Sequence, residues 1–153
     1  MALQLVIGDR NYSSWSLRAA LVLELSGQAF SDIPVALYRP ESRARLLSYS
    51  PTGKVPVLLT DEGPVWDSLA IAEYLAEVAP KAQLWPQERY ARALARSICA
   101  EMHSGFQALR SHLPMDMARD QALAQLPGRL RAWVVAGAAR SPLLDTLEQL
   151  KRI

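Results

Sequence analysis

The apolar residues of this chain change their period once, and that change limits what the chain can fold into. Up to about residue 80, short β-like runs alternate with helical patterns, the mark of an α/β domain. Ala2 to Ile7 reads as a first strand. After the polar, turn-forming stretch Gly8 to Ser14, Leu17, Leu21 and Leu25 recur at i, i+4 and i+8, which predicts a helix of about three turns closed by Gly27. A second strand is expected over Ile33 to Leu37, leading through Tyr38-Arg39-Pro40 into a short basic helix around Arg43 to Leu47. Ser50-Pro51-Thr52-Gly53 then punctuates the chain. Val55 to Thr60 reads as a strand interrupted by Pro56, Asp61-Glu62-Gly63 as a hairpin turn and Pro64 to Trp66 as a short strand. Asp67 or Ser68 caps a helix with Ile71, Leu75 and Val78 on one face, and Pro80 stops it. Past Pro86 only the helical period remains, with Leu94, Ile98, Met102, Phe106, Leu109 and Leu113 on one stripe. The boundary between the two regimes falls near residues 79 to 87.

Composition narrows the function classes. With 50% apolar and 21% charged residues the chain can bury a core and is expected to be globular. No apolar run approaches the roughly 18 residues of a membrane span. Met1 to Arg10 has neither a basic leader region nor a cleavage site after an apolar stretch, so the chain reads as cytoplasmic with no membrane partner. Cys99 is the only cysteine, which excludes an intrachain disulfide, a CxxC redox pair and a cysteine-based zinc site. His103 and His112 are too few to build a metal centre, so no metal is expected. The net charge of +2 comes from 17 basic and 15 acidic residues. The arginines between Arg89 and Arg140 are spread among alanines and leucines rather than gathered in a block, so no nucleic-acid partner is expected.

Four local motifs follow one another in order. They are Asn11-Tyr12-Ser13-Ser14-Trp15-Ser16-Leu17-Arg18, Ser50-Pro51-Thr52-Gly53-Lys54-Val55-Pro56-Val57-Leu58, Trp66-Asp67-Ser68-Leu69-Ala70-Ile71-Ala72-Glu73-Tyr74-Leu75, and Arg96-Ser97-Ile98-Cys99-Ala100-Glu101-Met102-His103-Ser104-Gly105-Phe106. With their spacing, they resemble the glutathione transferase family, in a bacterial, serine-type branch with zeta- and theta-like features, over the chain to about residue 125. The resemblance implies a thioredoxin-like α/β domain over residues 1–80 (βαβαββα, with a mixed four-stranded sheet) and an all-helical domain over 87–153. It further implies glutathione as co-substrate, an electrophilic small molecule as second partner, and a homodimer. The activity it implies is transfer of the glutathione thiolate to that electrophile, or a glutathione-dependent isomerisation. A family-like binding or scaffolding module without turnover is the competing reading, against which the retained Ser13, Ser14, Pro56, Asp67 and Ser68 argue.

Such an enzyme must hold glutathione as a thiolate although a free thiol titrates near ~8.5. A serine is no base at neutral pH, but its hydroxyl can donate to the sulfur, a charge-assisted bond worth roughly 1.5 to 3 kcal/mol. The positive end of a helix starting at Trp15 adds about 0.3 to 1 kcal/mol. Read without the family, Ser13 and Ser14 merely cap that helix. Within the resemblance, Ser14 is the first candidate for the thiol contact, Ser13 the second and Tyr12 the third, because the zeta-type and theta-type alignments of this loop disagree. The resemblance also implies a cis Val55–Pro56 peptide, with the Val55 backbone pairing to the cysteinyl part of glutathione like an added strand. Asp67 and Ser68 stand where the family binds the γ-glutamyl end. A carboxylate suits an α-ammonium group, and a hydroxyl with free helix N–H groups suits an α-carboxylate. Lys54 and Arg39 are candidates for the glycine carboxylate.

Cys99 reads as a small buried apolar group, and His103 as an ordinary helical histidine. After about residue 125 the resemblance stops. Leu130 to Ala139 reads as a helical run, and Ser141-Pro142 as the start of one further helix through Leu150. The helical domain is therefore expected to be incomplete or frame-altered, leaving the stripe of Leu94, Ile98, Met102 and Phe106 short of partners.

Overall fold

The structure, a computed structural model, describes residues 2–116. Met1–Met115 form one compact unit. The helices expected over residues 130–139 and 141–150 lie outside the described residues. The sheet has the order β2-β1-β3-β4. It comprises β1 (Leu3–Ile7), β2 (Phe30–Pro34), β3 (Val57–Leu59) and β4 (Pro64–Val65). β2 runs parallel to β1, β3 antiparallel to β1, and β4 antiparallel to β3. The carboxyl ends of β1, β2 and β4 and the amino end of β3 therefore share one edge of the sheet. This is the mixed four-stranded, thioredoxin-like arrangement that the sequence predicts.

Alternation along β1 divides the core. Leu5 and Ile7 join Leu58 of β3 on one face, under α1 (Ser14–Ser26) and α3 (Ser68–Val78), which contribute Ala19, Leu23, Ile71 and Leu75. Val6 and Val57 point to the other face with Val35 and with Leu46 of α2 (Ser42–Leu47). Each fully buried Leu or Ile removed from water contributes about 1.5 to 3 kcal/mol. α4 (Arg89–Ser104) is tied to α3 by a two-pronged ion pair in which Arg96 Nε and Nη2 each donate to a Glu73 carboxylate oxygen at 2.9 Å. That bond is the main cause holding the Glu73 carboxyl below its ordinary range.

Several elements differ from expectation. β2 begins at Phe30 and ends at Pro34, three residues earlier than the apolar run suggests. As an edge strand it needs only the ladder to β1, so polar Ser31 and Asp32 are tolerated, and Pro34 terminates it without costing an inner hydrogen bond. β3 covers only Val57–Leu59, because Pro56 has no N–H to offer the ladder and Thr60 turns into the hairpin by bonding Gly63. The leucines that announce α1 are not its core face. Leu21 is 52% and Leu25 71% exposed, whereas Ser16, Ala19 and Leu23 point inward. Two of these three are small, and Ser16 is tied inward by its hydrogen bonds with Gly8 N and Ser13 Oγ, so apolar spacing reveals the helix but not its buried side. On α3 the same reading succeeds for Ile71 and Leu75, but Val78, the helix's last residue, is exposed. The stripe from Leu94 to Leu113 is broken at Gly105 and Phe106. Phe106 takes a left-handed φ of 63° and starts a separate α5 (Gln107–His112). Leu94, Ile98 and Met102 are half-buried, and Phe106 is exposed.

Replacing Leu23 or Leu75 by Ala is expected to cost about 2 to 5 kcal/mol in urea unfolding followed by circular dichroism. Leu25→Ala should change it by less than about 0.5 kcal/mol. Equal losses at positions 23 and 25 would contradict the assignment of the buried face.

Candidate functional site

The shared sheet edge gathers the sequence-predicted site residues from four separate connections. Tyr12, Ser13 and Ser14 follow β1, Arg39 follows β2, Lys54, Val55 and Pro56 precede β3, and Asp67 and Ser68 follow β4. The β1–α1 loop is shaped by Asp9, whose Oδ1 accepts from Asn11 N at 2.8 Å and Tyr12 N at 3.2 Å, while its carbonyl accepts from Ser13 N at 2.8 Å. Gly8 precedes it at a point where a Cβ would sit 2.6 Å from Leu37 Cδ1, so a side chain there would have to displace the Leu37 side chain.

The two serines occupy different environments. Ser13 is the buried N-cap of α1. Its Oγ accepts from Ser16 N at 3.3 Å and shares a 2.9 Å hydrogen bond with Ser16 Oγ, which in turn accepts from Gly8 N at 3.0 Å. Ser14 opens the helix and is half-buried. Tyr12 is 59% exposed. All three line a cleft of about 1430 Å3, together with Arg39, Lys54 and Val55. Pro56, Asp67 and Ser68 are not among its lining residues. The Val55–Pro56 peptide is cis, as is Trp66–Asp67.

Asp67 is the N-cap of α3. Its Oδ1 accepts from Leu69 N at 3.0 Å and Ala70 N at 3.5 Å. Its Oδ2 lies 2.9 Å from His103 Nε2, a partner thirty-six positions away in sequence that no local pattern could have revealed. Ser68, the first residue of α3, is buried.

The cleft is also more basic than the sequence suggested. Arg10, Arg18, Arg39, Arg43, Lys54 and Arg110 line it, against Asp9 as the one carboxylate among the lining residues. Arg18 and Arg110 both stack on Trp15, with guanidinium carbons 4.4 and 4.5 Å from the ring centroid. Burial first, and the neighbouring Arg110 charge second, pull the Arg18 guanidinium below its ordinary value. Among the described residues its Nη1 is buried without a hydrogen-bond partner. Arg18 stood in the first motif without a role assigned to it, and Arg110 lay outside every motif. Spacing alone does not announce the pair, because α5 must fold back toward the first turn of α1 to form it. Burial, and then the charge of Glu73, push the Cys99 thiol up, which makes it a poor nucleophile. Among the described residues no cluster of His, Cys, Asp and Glu could hold a metal ion, and no helix is long and apolar enough to cross a membrane.

Comparison with known proteins agrees with this geometry. Residues 12–78 match the N-terminal domain of glutathione S-transferases. Maleylacetoacetate isomerase of Rhizobium meliloti is 37% identical over 108 residues, covering 67% of this chain and 51% of that protein. The chain spans about half the length of the curated isomerases it matches. A Burkholderia glutathione transferase homolog solved with bound glutathione superposes with a TM-score of 0.60 at 34% identity, covering 71% of this chain and 57% of that one. A separate, short similarity, 77% identical over 31 residues, is to 4-diphosphocytidyl-2-C-methyl-D-erythritol kinase of Xanthomonas euvesicatoria. It covers 20% of this chain and 10% of that kinase, too little chain to carry a fold or an active site. The sheet order, the motif-bearing loops at one sheet edge and the matched residues agree in one assignment: residues 12–78 belong to the N-terminal domain of the glutathione S-transferase family.

Proposed function

We propose that this chain binds glutathione at the shared sheet edge and activates it as a thiolate for reaction with an electrophilic small molecule. The observation that carries the reading is the convergence there of two helix N-termini, a cis-proline strand end and a cationic cleft, all from separate connections. Glutathione offers an α-ammonium, two carboxylates and a thiol. Asp67 would take the ammonium and the Ser68 end of α3 the adjacent carboxylate. The Val55 main chain would pair with the cysteinyl unit, and Lys54 and Arg39 would meet the glycine carboxylate. Ser14 would donate its hydroxyl to the thiolate at the positive end of α1, with Ser13 serving mainly as the cap and Tyr12 standing at the rim. The division of labour proposed is a glutathione domain over 1–80 and a helical domain over 87–153, in a cytoplasmic homodimer with two-fold pairing.

Within the enzyme class, glutathione-dependent isomerisation of an anionic substrate is a second reading, favoured by the excess of cationic side chains in the cleft and by the isomerases among the relatives. The bound thiolate would add to a double bond conjugated to a carbonyl, allow rotation about the resulting single bond, and leave again. An arginine-lined cleft would hold the substrate's carboxylates while the carbon skeleton turns.

Glutathione at 10 mM is expected to raise the melting temperature and to give a calorimetric binding isotherm. No heat and no shift would remove the reading. Ser14→Ala should raise the pKa of the bound thiol, followed as thiolate absorbance against pH, by about one unit for one lost hydrogen bond. Ser13→Ala should change that titration less and instead cost about 1 kcal/mol of stability as a lost cap. The reverse pattern would transfer the thiol role to Ser13. In a panel of aryl halides, epoxides and unsaturated acids, the unsaturated di-acids should give the highest kcat/KM and lose most of it between 50 and about 500 mM salt, as an electrostatically bound substrate does. Turnover confined to uncharged aryl halides would favour simple transfer over isomerisation.

A further inference from the structure

The His103–Asp67 contact draws a third element into the glutathione site. His103 lies in the last turn of α4, not in the sheet-edge loops. Asp67 uses one carboxylate oxygen to cap α3 and presents the other to His103 Nε2 at 2.9 Å. The Asp67 side chain nevertheless remains 54% exposed, and a carboxylate has about four acceptor positions, so room is left for one more donor. The imidazole is fixed from a second side. It stands edge-on to Trp15, with ring centroids 5.2 Å apart and planes at 77°. Trp15 is held in turn by Arg18 and Arg110. Arg110 donates to the Gly105 carbonyl at 3.2 Å and to the Met102 carbonyl, closing the network back on the end of α4 that carries His103. A continuous set of contacts thus runs from the cap of α3, through α4, to the residue beside Ser14.

We infer that His103 is a positioning residue for glutathione, holding the Asp67 carboxylate in the orientation that receives the α-ammonium group and linking it to the first turn of α1 through Trp15. The inference rests on the proposed glutathione site. Without a donor at position 103, the free half of the Asp67 carboxylate can swing away from the ligand, and its correct placement must be regained on each binding event. The loss therefore falls on affinity, because the sulfur and its hydrogen-bond donor lie at the other end of the tripeptide.

Calorimetry with glutathione on the full chain, with melting temperature as a folding control, tests this. His103→Ala should raise the Kd roughly tenfold, the effect of losing one hydrogen bond to a charged group, while kcat at saturating glutathione stays within about twofold. His103→Gln, which keeps a donor at nearly the same reach, should recover the wild-type Kd to within about twofold. In an Asp67→Ala background, His103→Ala should have no further effect on Kd, since it acts through the missing carboxylate. An unchanged Kd in His103→Ala, a Gln variant as weak as the Ala variant, or the same loss in both backgrounds would each overturn the inference while leaving the glutathione site standing. Absence of binding by the wild type would instead remove that site, and the inference with it. If His103→Ala does not fold, His103→Met, which fills similar space without a donor, takes its place in every comparison.

Discussion

The packing of α1 and α3 side by side on the face formed by Leu5, Ile7 and Leu58 is the constraint on which the rest of this structure depends. Each helix follows a strand that ends at the same sheet edge, so burying Leu23, Ile71 and Leu75 also aims both helix N-termini at one place. The hydrophobic term is indifferent to function. Its consequence is not, because two positive helix ends and the strand end at Pro56 then share an edge that a single local motif could not build. The antiparallel β3 is essential to this result. Were it parallel to β1, its amino end would lie at the opposite edge and Val55 would be far from Ser14.

Much of this was legible because strong punctuation and function coincide in this fold. Gly27 ends α1 in the left-handed conformation, Asp67 caps α3, and Pro56 delays the start of β3 to Val57, each a local signal with a local cause. The limits of β2 were not legible, since a strand that borrows its regularity from β1 has no need of an apolar pattern of its own. The buried side of α1 was not legible either. Leucine usually marks the core, yet here Ser16 and Ala19 share the inward side with Leu23, and Leu21 and Leu25 lie outside. In the site, residues on the motif loops could be named, but the Trp15, Arg18 and Arg110 stack and the Asp67–His103 pair join positions far apart in sequence. Only the chain's path brings them together.

The charge distribution separates two tasks within one surface. At the start of α3 the Asp67 carboxylate faces His103 Nε2, whereas the cleft beside Ser14 is lined by five arginines and one lysine, of which Arg10 pairs with Asp32. A thiolate placed between them would be favoured by the helix end and the surrounding cations, which lower the free energy of the charged form. The half-buried Arg18, crowded by Arg110, pays a desolvation penalty that no protein carboxylate relieves among its described contacts. An anion in the cleft would relieve it.

A boundary near residues 79 to 87 follows the change of hydrophobic period, yet α4 is fastened to α3 by Arg96 and Glu73 and to the cap of α3 by His103. These contacts are polar and directional, so they add little to core burial and leave no trace in an apolar pattern. They do hold the last turn of α4 against the α3 N-terminus, where Asp67 lies. The change of period marks where the strands stop. On the proposed assignment of Asp67 to the γ-glutamyl end, the residues that support the site extend past that change, at least to Arg110, because His103 beside Asp67 stands edge-on to Trp15 and Arg110 stacks on that ring from α5.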